Sequence, residues 1–93
     1  MPRPKIHRRV CGRAAHSCFK PNGITLSQLD KIEILPEELE AIRLADLEGL
    51  SQLQAAEQMG VSRQTFGNTV KKARWKIAKS LVEGQALLFP TEE

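Results

Sequence analysis

Arg63, Gln64 and Asn68 fall in the stretch AAEQMGVSRQTFGN, and their types suit recognition rather than bond making. An arginine fork matches the guanine edge, and a primary amide matches adenine. At about 100° per residue, Gln64, Asn68 and Lys71 share one face of a helix, with Arg63 and Gly67 beside it. Lys71, Lys72 and Arg74 are cations of the kind that meet phosphate oxygens without reading sequence. The implied chemistry is contact with the edges and backbone of double-stranded DNA.

Such side chains need a rigid mount, and the same stretch supplies one. The pattern predicts two helices joined by a turn of about three residues, a helix-turn-helix unit. Ala56 is small enough for a close crossing, and Gly60 can take the left-handed conformation that reverses the chain. Ser62 caps the next helix by accepting from unpaired N–H groups, and Ser62 and Thr65 stand where a helix start meets phosphate. Val61 and Phe66 are expected to plug the space between the helices. Gly67 costs about 1 kcal/mol inside a helix relative to Ala. Close backbone approach to DNA and a tolerated neutral position both account for it.

Around this unit, Pro36 opens a first helix with Glu37 and Glu38 at its positive end. Leu39, Ile42, Leu44 or Ala45, and Leu47 recur at helical spacing up to Gly49. Ser51 caps a second helix from Gln52 to about Met59, apolar at Leu53, Ala55, Ala56 and Met59. The third runs from Arg63, apolar at Phe66, Val70, Ala73, Ile77 and Leu81, as far as Val82 before Gly84. Trp75 lies off that stripe; packing on the first helix, a dimer seam and partial exposure are all open to it, and a core role is the simplest expectation. FKPNG reads as a turn, KIEIL as a short strand, and GQALLFP as a last strand or a docked extended segment. The fold class is mainly α: a three-helix helix-turn-helix domain over 36–83, a basic arm with turn and short strand over 1–35, and a tail over 84–93. The N-terminal part and the tail offer a short β pairing.

Charge is distributed unevenly. Residues 1–20 hold six Lys or Arg and no acid, residues 21–59 hold eight acids against Lys31 and Arg43, and the cations return from Arg63 onward. Two basic ends around an acidic middle suit a protein facing a polyanion, although charge runs are also simply solvated faces. In the arm, Arg8, Arg9 and Arg13, with Arg3 and Lys5, suit phosphate or minor-groove contact, and a strand packed on the tail is the alternative.

His7, Cys11, His16 and Cys18 are all of zinc-ligand type, but the spacing H-x3-C-x4-H-x-C matches no familiar finger. Zinc binding, a redox-sensing pair, and reduced thiols with solvated histidines all remain open, and no other cofactor is implied. A metal- or redox-tuned regulator is therefore one alternative. No Gly-rich phosphate loop, nucleophile with an evident base, or paired catalytic carboxylates points to an enzyme. Glu37, Glu38 and Glu40 read as helix-start charges and solvated positions. With no apolar run near 20 residues and no signal-peptide pattern, the expected compartment is the cytoplasm.

Resemblance extends these readings. Ala56-Glu57, Gly60-Val61-Ser62 and Gln64-Thr65-Phe66 are similar to the helix-turn-helix of the lactose-repressor family, which implies base reading by Arg63, Gln64 and Asn68. Leu35-Pro36-Glu37, Glu48-Gly49-Leu50-Ser51, Ala55-Ala56-Glu57, Gly60-Val61-Ser62 and Ala73-Arg74-Trp75-Lys76 resemble region four of sigma-seventy-type factors, which recognises the minus-thirty-five promoter element. Over nearly the whole chain, MPRPK, RRVC, FKP, AIRLADLEGLS and LVEGQAL resemble the small prokaryotic family called domain of unknown function one-thirty-four, predicted to bind DNA. The chain has no room for a sugar-binding domain, and nothing in it resembles the sigma regions that grip polymerase or melt promoter DNA. The resulting expectation is a small stand-alone transcriptional regulator that binds double-stranded DNA, as a homodimer because one short helix supplies few contacts. The alternative is a protein-interaction module, with the transcription machinery as one partner, docking through Trp75 and LVEGQALLF.

Overall fold

Three strands join the first and last of the described residues beside three helices in the computed structural model, which describes residues 17–89. The strands are β1 (Cys18–Phe19), β2 (Lys31–Glu33) and β3 (Ala86–Leu88), and the helices are α1 (Pro36–Ile42), α2 (Gln52–Met59) and α3 (Arg63–Glu83). β3 is central, antiparallel to β1 with Phe19 opposite Leu87, and parallel to β2 with Ile32 opposite Leu87. All three helices therefore lie in the crossover from β2 to β3. The Ile34 N–H donates to the Leu88 carbonyl at 2.8 Å and the Phe89 N–H to the Ser17 carbonyl at 2.9 Å, extending both ladders. Phe19 and Phe89 meet edge to face at 5.7 Å between centroids. The expected turn at FKPNG, strand in KIEIL and strand in the tail are all present.

α1 starts at Pro36, as its missing N–H favours, and the Leu35 N–H donates to Glu38 Oε1 at 2.9 Å. Its continuation departs from a regular helix. Arg43–Leu47 forms a π-helical turn in which the Glu48 N–H reaches back to the Arg43 carbonyl at 2.9 Å. The wider turn changes which residues face inward. Leu44 is buried, but Leu47 is 78% exposed, so the core role expected for Leu47 is not realised.

Ser51 and Gln54 then cap α2 reciprocally, each side chain bonding the other's N–H, at 3.0 and 3.1 Å. Gly60, at φ +73°, closes it, with the Val61 N–H on the Ala56 carbonyl at 3.0 Å. Ala55, Ala56 and Met59 are buried, and Leu53 is exposed rather than part of the core. With Ala41, Leu44, Phe66 and Val70 they form one cluster, in which Phe66 is fully enclosed. Val61 is exposed, so of the two residues expected to plug the crossing only Phe66 is buried.

α1 and α2 both pack against α3, which ends one residue beyond the expected Val82. Its second half contacts β2 and β3, and the buried Ser80 donates to the Gln85 carbonyl at 2.6 Å. Ile77 is half-buried, whereas Leu81 is 77% exposed and Trp75 58% exposed. A core role for either is thus overturned, because the described residues leave most of each side chain uncovered. Glu38 and Glu40 are also corrected: both are buried and ion-paired, not solvated. No helix of the described residues is long and apolar enough to cross a membrane.

Candidate nucleic-acid interface

The start of α3 depends on Ser62. Its Oγ accepts the Thr65 N–H at 3.0 Å and donates to Thr65 Oγ1 at 2.9 Å, while Thr69 Oγ1 donates to the Thr65 carbonyl at 2.9 Å. Both hydroxyls expected at phosphates are thus already used in shaping the first turn, with the proton of Thr65 Oγ1 left to give. Arg63 and Gln64 project from that turn into solvent, and Asn68, Lys71 and Lys72 follow, all exposed. α3 carries no acid before Glu83, and Arg63, Lys71 and Lys72 make no ion pair with another described residue. Five of the expected contact residues therefore share one open, cationic face.

Arg74 is placed differently. Its Nη2 and Nε donate to the two oxygens of Asp46 at 2.7 and 3.1 Å. That hydrogen-bonded fork, and then the guanidinium charge, hold the Asp46 carboxyl below its usual range despite the opposing cost of desolvation. The same contact raises the already high Arg74 value. Lys76 turns inward, with Nζ donating to Glu38 Oε1 and to the Glu33 carbonyl, each at 2.8 Å. Lys79 pairs with Glu83 at 2.7 Å and sits 5.8 Å from the centre of the Trp75 ring.

Gly67 faces the start of α2. A Cβ there would lie 3.6 Å from Gln52 Nε2, an ordinary contact. Gln52 is exposed and borders the open face, a position that residue types alone did not single out. Its place after a capping serine, at the start of the helix that α3 crosses, is a sequence signal that could have found it. Arg8, Arg9, His7, Cys11 and His16 lie outside the described residues. Cys18 sits half-buried in β1, and no group of three His, Cys, Asp or Glu able to hold a metal occurs among the described residues.

The fold and the open face define a small, mainly helical domain of helix-turn-helix build, its ends tied by a mixed three-stranded sheet. The chain belongs to the family described as protein of unknown function DUF134, which matches residues 1–93. It is similar to a UPF0251 protein of Vibrio parahaemolyticus serotype O3:K6, 76% identical over 93 residues, spanning 100% of this chain and 97% of that one. UPF0251 proteins of Aeromonas salmonicida and Shewanella sediminis are 53% and 49% identical, covering 100% and 99% of this chain and 91% and 96% of theirs. No solved structure matches the chain significantly.

Proposed function

We propose that the chain is a sequence-specific double-stranded DNA-binding protein, a small cytoplasmic transcriptional regulator without catalytic activity that places the start of α3 in the major groove. The supporting observation is the open face itself: Arg63, Gln64, Asn68, Lys71 and Lys72 are exposed together on a capped helix that carries no acid until Glu83. Arg63, Gln64 and Asn68 read bases, and Lys71 and Lys72 meet phosphates. Two copies acting together supply the contacts that one helix start lacks. Selection of bound sequences from a random DNA pool, followed by a salt series on the enriched site, tests this. An enriched site whose affinity falls steeply between about 50 and 200 mM salt supports it, and no enrichment rejects it.

A second reading, docking of a protein, is favoured by the exposed Trp75, Leu81 and Val82 on the latter half of α3. Within the tail, Ala86 and Leu87 are buried and do not share in that surface. Trp75 is the chain's one tryptophan. A blue shift of its emission with added protein partner, and none with DNA, would support this reading over the first.

A further inference from the structure

We infer that Asp46 and Arg74 form a clamp that fixes the roll of α3 about its own axis, which makes Arg74 a positioning residue of the DNA-reading face and not one of its phosphate contacts. The inference rests on the proposed function for what the face reads, but the clamp itself is a matter of geometry.

Arg74 stands seven residues after Gly67, two turns along the same line of the helix, and Gly67 faces the start of α2. Arg74 is thus on the flank that α3 turns toward the rest of the domain, to one side of the line through Gln64, Asn68 and Lys71. Asp46, within the π-helical turn Arg43–Leu47, meets it there. Both guanidinium contacts reach one carboxylate, a planar fork that resists twisting where a single contact would swivel. Lys76, two residues on and about 200° around the helix, is held on the opposite flank by Glu38 and the Glu33 carbonyl. Two cations therefore tie opposite flanks of α3 to different parts of the domain, and neither tie blocks the open face between them.

Roll matters because hydrogen bonds to bases tolerate only a few tenths of an ångström. On a helix of about 5–6 Å outer radius, a roll of about 15° displaces the tips of Gln64 and Asn68 by about 1.5 Å. The Asp46–Arg74 pair is largely exposed, and exposed pairs add little to stability. Its removal should accordingly show in recognition more than in unfolding.

Four full-length proteins test the clamp: wild type, Arg74→Lys, Asp46→Asn, and the exchange Asp46→Arg with Arg74→Asp. Lysine keeps a charge for phosphate but loses the fork, whereas the exchange restores the fork and removes the cation from α3. The clamp predicts that Arg74→Lys and Asp46→Asn each lose roughly tenfold in discrimination between the enriched site and a scrambled duplex. The slope of log affinity against log salt should stay that of wild type, and the exchange should recover most of the discrimination. Full discrimination in Arg74→Lys, with the exchange lowering the salt slope by about one, would make Arg74 a phosphate ligand and overturn the inference. NMR titration of the Asp46 carboxyl in wild type and Arg74→Gln needs no DNA. A carboxyl that titrates alike in both overturns the clamp and an upward move on removing Arg74 supports it, whereas failure of wild type to bind any duplex rejects the proposed function alone.

Discussion

Lys76 Nζ lies 2.8 Å from Glu38 Oε1 although 38 positions separate the two residues, and their side chains are only 14% and 4% exposed. The pair fastens α3 to the first turn of α1, and the same ammonium binds the Glu33 carbonyl at the end of β2. One side chain thus joins sheet, first helix and third helix.

Removing one member of a nearly buried pair leaves the other charge without compensation, which typically costs about 3–5 kcal/mol. Lys76→Met is accordingly expected to lower unfolding stability by about 3 kcal/mol in urea titration. A loss under about 1 kcal/mol would mean that water reaches Glu38 freely.

Acid should weaken the Asp46–Arg74 pair in a defined direction. Because the folded carboxyl is held below its unfolded value, the pair's contribution is present above the unfolded value, near 3.9, and is lost as pH falls through the lower folded value. Wild type and Asp46→Asn should therefore differ in stability at pH 7 and converge in acid. An Asp46 carboxyl that titrates at its ordinary value by NMR would contradict the pairing.

Gly67 has room for a methyl group, with Gln52 at an ordinary contact distance. Gly67→Ala should stabilise the protein by up to about 1 kcal/mol through helix propensity. Unchanged DNA affinity in that variant would assign the glycine a neutral place, whereas a large loss would show that the DNA backbone approaches it closely.

Within the proposed function, Gln64→Ala should relax preference at one base pair by about 1–3 kcal/mol. Lys72→Ala should instead weaken all duplexes alike and reduce the salt slope by about one. Equal losses on every sequence from both variants would remove Gln64 from the base-reading set.

The sequence by itself determined the short-range features: the caps at Ser51 and Ser62, the reversal at Gly60, and the buried Ala56, Phe66 and Val70. Each of these depends on hydrogen bonds or helical spacing within a few residues, so local composition is enough to reveal it. The exposed set Arg63, Gln64, Asn68, Lys71 and Lys72 was legible for the same reason, since it lies opposite the apolar stripe of one helix. Tertiary structure alone decided the rest. The π-helical turn put Leu47 outside, and the way the other elements pack on α3 left Trp75 and Leu81 uncovered. Ion pairs spanning 28 and 38 positions drew Arg74 to Asp46 and Lys76 to Glu38. A cation's partner is set by which elements the chain brings together, and no periodicity around Arg74 or Lys76 encodes that meeting.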